Sequence, residues 1–501
     1  IKVVATGSLD TIVAGVATRT PDLLSGWAVV HPVRLHVPMK GELSLKNYHL
    51  PILKKQKLFA KDGIVRFNGD IQRLLLNLDT DLKGEQIPEG KYNALMHTDL
   101  KNQLNIQDFN GQVMNGAVAL NGLVNWHHHV SWDIKGRLEH LDPKDKALPQ
   151  IARDFLPPNI DANIHSRGSM EKGLEMNAQL AFDQYESWAV QLNQAKAKNN
   201  KVQPMFLDVA WQGIDRAVPY IGWLSSAEGH TKVALKDTQQ DIEVSTIVRA
   251  HEKALLPTGQ YKARLDLKGN LLNIENFRYQ AANGSLVGQA KVTLPKEKQQ
   301  LAWQANLKAE NFNPQTVAAS ASAPVNLLNG EIKASGFAKP NQQIIQLNAV
   351  DLTGQLAQAD RKETIALKGK STIALMFNDP KSGGGFKSFA VNYDGSLNAL
   401  NQGNGLLKIK LAGTPQYIKI NELKHDGVAG KIYATGAVNL KNQLGWDVDA
   451  SLVRFKPHYF VSSVKGEISG RVKSQGVWSD HLKRVDIRQL NVAGFLNNKP
   501  I

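Results

Sequence analysis

The sequence predicts an all-β protein: one very long, curled, mostly single-layer β-sheet, a trough with an apolar inner face and few short helices. Three observations carry that expectation. Apolar and polar residues alternate with period two in many separate segments. Forty glycines, with many Asn, Gln and Lys, supply frequent turns. No segment sustains a 3.6-residue apolar stripe.

The alternation recurs along the chain. Val33, Leu35 and Val37 flank Arg34 and His36. Val130, Trp132, Ile134, Gly136 and Leu138 alternate with Ser131, Asp133, Lys135, Arg137 and Glu139. Ala263, Leu265 and Leu267 alternate with Arg264, Asp266 and Lys268. Leu301, Trp303, Ala305, Leu307 and Ala309 alternate with Ala302, Gln304, Asn306, Lys308 and Glu310. Leu407, Ile409 and Leu411 flank Lys408 and Lys410, and Leu444, Trp446, Val448, Ala450 and Leu452 repeat the pattern. Successive strand side chains point to opposite faces, so each segment has one apolar and one wet face. That is the antiparallel pattern; a parallel sheet under helices shows continuous apolar runs. Pro149–Leu156 and Thr316–Leu328 are expected to form a turn or two of helix, and Lys196–Lys201 and Pro380–Gly385 to be loops.

A long pattern occurs three times. Leu104, Ile106 and Phe109 precede Trp132 and Pro143; Leu272, Ile274 and Phe277 precede Trp303 and Pro314; Ile418, Ile420 and Leu423 precede Trp446 and Pro457. Each proline stands 11 residues after its tryptophan. A glycine follows each copy, at Gly168, Gly336 and Gly476. These glycines are expected to relieve crowding at bulges or kinks. The approximate copies cover 100–168, 263–336 and 418–476, within one continuous segment over 1–501. Intervals between tryptophans vary, which suits a sheet that tolerates added hairpins better than a short-period solenoid. A strand and turn of about 8–12 residues gives roughly 40–60 strands over this length. Stacked about 4.8 Å apart, they span on the order of 200–300 Å.

Composition limits the function classes. Cysteine is absent, which excludes disulfides and thiolate metal sites and fits an oxidising compartment. The net charge is +15, from 60 Lys and Arg against 45 Asp and Glu. It reads as spread along the chain, with small clusters at Lys54, Lys55 and Lys57 and at Lys196, Lys198 and Lys201. Such a surface suits lipid headgroups, lipopolysaccharide or simple solubility; no nucleic-acid signature accompanies it. No apolar run of about 18 residues appears. The chain begins at Ile1, and it is expected to be an internal piece lacking an N-terminal anchor and a C-terminal domain.

Catalytic constellations are weak. His127, His128 and His129 are consecutive, so in a strand they point to opposite faces, and a polar loop is the better reading. Gly383, Gly384 and Gly385 lack the Lys-Ser/Thr of a phosphate loop. Asp447 and Asp449 lie two residues apart on one strand face, unlike a glycosidase pair. The chain is expected to be no enzyme and to use no cofactor or metal.

Leu123–Pro143, Leu301–Pro314 and Leu444–Pro457, with the preceding Asn115–Leu120 and Asn283–Leu294, resemble the TamB family within the wider AsmA-like group. The likeness covers roughly residues 100 to 501 and is one of texture and repeat. It implies a periplasmic β-trough of a Gram-negative bacterium, anchored in the inner membrane in the full-length protein. It implies phospholipid acyl chains as cargo, carried between inner and outer membranes, and an outer-membrane barrel of TamA type as partner. It also implies a link to autotransporter assembly, with strand addition at a sheet edge as a second possible activity.

The groove candidates are Trp132, Ile134, Leu138, Leu265, Leu267, Leu301, Trp303, Leu307, Leu407, Ile409, Trp446, Val448 and Leu452. From the residues alone, a sealed sandwich core is the commoner use of such side chains. The resemblance turns the balance to an open groove. A structural or adhesive β-solenoid, a β-helical polysaccharide enzyme and an outer-membrane barrel are the other readings weighed; each expects a pattern not found in the sequence.

Overall fold

A computed structural model describes the chain apart from residues 1, 19–22, 50–57, 85–86, 146–147, 149, 183–184, 196–202, 219–221, 237–238, 252–255, 283, 295–299, 314–324, 340–341, 357–363, 378–385, 399–403, 442–443, 460–462 and 479–482. Both small lysine clusters, Pro314, most of Thr316–Leu328 and the loop expected at Pro380–Gly385 lie outside the described residues.

The expected fold class is what the structure shows: an all-β, antiparallel, open sheet in which strands follow one another in chain order. The chain divides into two units, Ile1–Leu255 and Leu256–Ile501. Among the described residues the first holds sixteen strands, from Lys2–Gly7 to Gln239–Val248. The second holds fifteen, from Gly259–Lys268 to Lys499–Pro500. The total falls below the roughly 40–60 expected from ordinary strand lengths, because most strands here run to between 9 and 15 residues. One helix, Gln150–Phe155, falls within the helical segment expected there, and a short 3-10 turn spans Pro457–Tyr459. No helix among the described residues is long and apolar enough to cross a membrane.

Within each unit, the strand-to-strand contacts among the described residues run between sequence neighbours. The alternating pattern sets the register, since a one-residue slip would turn every apolar side chain to water. One expected strand is absent. Val33–Val37 forms a turn between Leu23–Val30 and Met39–His49, with His36 at φ 63° and Val37 at φ 52°. Three alternating residues are too few to outweigh the return of the chain.

Burial is uneven. In the first unit a cluster including Leu45, Ala60, Leu82, Tyr92, Val113, Leu141, Ile160 and Phe182 closes one end of the strands. In the second unit, among the described residues, a smaller cluster is built on Tyr279, Ala309 and Phe312.

Candidate functional site: a continuous apolar face

Residues paired across an antiparallel ladder share a face, so the register traces that face strand by strand. In the first unit one row crosses all sixteen strands: Ala5, Ala14, Ala28, Gly41, Phe67, Leu76, Met96, Ile106, Gly122, Ile134, Ser166, Met176, Leu192, Leu207, Val233 and Ile242. Ser166 alone carries a polar side chain. In the second unit a row runs through Leu267, Leu272, Val292, Trp303, Gly336, Ile345, Ile373, Val391, Leu411, Ile420, Gly436, Val448, Ser474 and Ile487.

All thirteen candidates stand on these apolar faces. Trp132, Ile134 and Leu138 share the face of the first unit. Leu301 and Trp446 lie in one row of the second unit, Leu265 and Ile409 in another, and Leu307, Leu407 and Leu452 in a third. Most are half-buried; Leu407 is 9 % exposed and Leu307 36 %. The opposite face is polar, as in the row of Lys135, His165, Asn177, Gln191, Asp208 and Lys232.

Sequence reading missed what the tryptophans and glycines do together. Trp132, Trp303 and Trp446 each lie opposite the glycine that closes their copy, Gly168, Gly336 and Gly476. A Cβ on those glycines would come within 2.5, 2.9 and 2.2 Å of the indole ring. The glycines therefore make room for a ring laid along the face, rather than relieving a bulge. Trp132 Nε1 donates to Ser166 Oγ at 3.0 Å and Trp446 Nε1 to Ser474 Oγ at 3.2 Å, so the one polar edge of each ring is satisfied within the apolar surface.

The bulges lie elsewhere in the copies. Register shifts fall between Leu138 and Leu141, Ala309 and Phe312, and Leu452 and Phe455. Within each shift one residue is left-handed: His140 (φ 53°), Asn311 (φ 49°) and Arg454 (φ 50°). The backbone N–H of each donates to a side chain of the next strand, at 2.8 Å to Asp161 Oδ1, Asn329 Oδ1 and Ser469 Oγ respectively. The signal was present in the sequence as a spacing of three between apolar residues where two was the rule.

Few polar groups interrupt the apolar faces. In the first unit Glu186, 3 % exposed, accepts from Arg216 Nε and Nη2 at 2.9 and 3.0 Å and from Trp188 Nε1 at 3.1 Å. Burial pushes the Tyr92 hydroxyl up to about 12, with Asp145 adding to it; the hydroxyl donates to Pro88 O at 2.6 Å. In the second unit His425 is 7 % exposed between Leu407 and Ile432, and its Nε2 has no hydrogen-bond partner among the described residues. The histidine triplet sits in a bend outside the strands, with His127 on Asn102 and His129 on Glu171 at 2.8 Å.

A long antiparallel meander with one apolar and one polar face defines a class of β-sheet scaffold. The family described as "TamB, N-terminal domain" matches residues 1–204 and 361–501. The chain belongs to that family. It is 21 % identical over 279 residues to the "Translocation and assembly module subunit TamB" of Haemophilus influenzae, covering 53 % of this chain and 20 % of that protein. The chain thus spans about one fifth of the length of this relative. No solved structure matches it.

Proposed function

We propose that this chain is a non-catalytic part of a bacterial envelope conduit, carrying phospholipid acyl chains along its apolar face through the periplasm between inner and outer membranes. The observation that supports the reading is the row through all sixteen strands of the first unit, in which Ser166 alone carries a polar side chain. Exposing acyl chains to water costs about 0.8 kcal/mol per CH₂, so two chains of about 16 carbons cost roughly 25 kcal/mol. A face that stays apolar from strand to strand removes that barrier at each step, while the headgroup stays in water. Many modest apolar residues share the task, and no single one is indispensable.

A second reading rests on the relative's name, a subunit of a translocation and assembly module. In it the sheet supports assembly of an outer-membrane barrel, with a TamA-type partner, by adding strands. One experiment separates the two. The chain is purified from cells and extracted for lipid mass spectrometry beside Trp303→Glu and Leu307→Arg. The conduit reading expects stoichiometric phospholipid in the parent and its loss from variants with parental circular dichroism. A folded, lipid-free parent sinks it and favours the assembly role.

A further inference from the structure

The positive charge is not spread along the chain as the sequence reading had it. Ile1–Leu255 holds 29 Lys and Arg against 28 Asp and Glu; Leu256–Ile501 holds 31 against 17. The second unit therefore carries +14 of the net +15. Alternation sends many of the described ones to the face opposite the apolar one. Lys291, Lys333, Lys370 and Lys419 all stand there, each exposed and in no ion pair among the described residues. Others on that face are partly neutralised, as where Glu422 meets Lys410 and Lys424 at 2.9 and 2.6 Å.

We propose that the polar face of the second unit docks on an anionic lipid bilayer surface. This is a separate site from the acyl-chain face, and it stands whether or not that face carries lipid. Charge complementarity requires an anionic partner, and the first unit, with 29 Lys and Arg against 28 Asp and Glu, offers no net negative charge to supply it. The kind of cation selects the lipid surface over an acidic protein. Of the 31 basic residues in the second unit, 24 are lysine. Protein interfaces deplete lysine and enrich arginine. A headgroup layer is a diffuse field that point charges on long stems satisfy without fixed geometry, each nearby Lys or Arg adding to the attraction. A polar sheet face spreads such charges at the regular spacing of the ladder.

The test uses the whole chain in vesicle co-sedimentation. Vesicles are pure phosphatidylcholine, or phosphatidylcholine with about one third phosphatidylglycerol. Two quadruple variants carry the same change in total charge: Lys291→Glu, Lys333→Glu, Lys370→Glu and Lys419→Glu in the second unit, and Lys40→Glu, Lys91→Glu, Lys135→Glu and Lys232→Glu in the first. The parent is expected to bind the anionic vesicles at least tenfold more tightly than the neutral ones, with the preference lost in high salt. The second-unit variant, folded by circular dichroism, is expected to lose about tenfold and the first-unit variant less than about threefold. Equal losses in both would reduce the effect to net charge and overturn the assignment. So would a parent with no anionic preference, including one that binds a polyglutamate column instead.

Discussion

The two units are built by the same rule and spend it differently. Both are antiparallel meanders with one apolar face, and both contain the Trp-over-Gly arrangement, at Trp132 and Gly168 in the first unit and at Trp446 and Gly476 in the second. The first unit buries more, with a large cluster at one end of its strands and a buried Glu186–Arg216 pair on the apolar side. The second has a smaller cluster among the described residues, holds ion pairs such as Arg471–Asp449 on its polar face and carries almost all of the net charge. Local alternation therefore fixes which side is apolar, but not how deeply that side is covered.

The sharpest way to break this comparison is to open one ion pair in each unit. Glu186→Ala leaves the Arg216 guanidinium, 22 % exposed, and Trp188 Nε1 without their acceptor in apolar surroundings. Removing one partner of a buried pair costs about 3 kcal/mol or more. Asp449→Ala removes the acceptor of Arg471, whose Nε donates to it at 2.7 Å, on the exposed polar face. Exposed pairs are worth about 0–1 kcal/mol. Hydrogen exchange is the suitable readout, because long repeat arrays do not melt as one unit. Glu186→Ala is expected to speed exchange in Ser187–Ala195 and Met205–Val218 by at least about a hundredfold. Asp449→Ala is expected to leave Leu444–Phe455 nearly unchanged. Equal effects would show that the two faces do not differ in dielectric.

A smaller contrast uses truncations of the same side chain. Leu141, 6 % exposed in the first unit's cluster, is expected to lose about 2–4 kcal/mol on Leu141→Ala. Leu307, 36 % exposed on the second unit's apolar face, is expected to lose under about 1 kcal/mol on Leu307→Ala. Local exchange protection again measures both. A large loss at Leu307 would mean that the second unit's apolar face is covered as deeply as the first unit's cluster, and would count against a surface left free for cargo.

The smallest effect expected is a titration. Hydrogen bonds from Lys424 and Lys410 hold the Glu422 carboxyl down to about 2 from its ordinary 4.5. A carboxyl depressed in the folded state contributes stability fully above its unfolded value, and loses it as pH falls through the folded one. The contribution is therefore intact above about pH 4.5 and disappears toward pH 2. Carbon-detected NMR of Glu422 should give a midpoint near 2, rising toward 4.5 in Lys410→Ala with Lys424→Ala. An unshifted midpoint in the parent would mean that the lysines do not hold this carboxylate in solution.

Much of the site was legible as pattern. Period two puts Leu301, Trp303, Leu307, Leu407, Ile409, Trp446, Val448 and Leu452 on the apolar face of their strands, and the ladder places them there. The bulge at Leu138–Leu141 lies at the end of the alternating run Val130–Glu139, where a three-residue step between apolar residues breaks period two. The strand expected at Val33–Val37 failed for the opposite reason: a short alternating run has no meaning unless partner strands flank it.

The sequence by itself determined the strand class, the side of each strand that is apolar and the recurrence of Trp, Gly and Pro. These follow from backbone geometry, which sends neighbouring side chains to opposite faces wherever a strand forms. The tertiary structure decided what lies across from what. Gly168 stands under Trp132 from 36 residues away, and Asp161 reaches the left-handed His140 from the neighbouring strand. It also divided the charge between two units, one nearly neutral and one strongly basic. Cross-strand register joins residues far apart in the chain, and no local pattern encodes that distance.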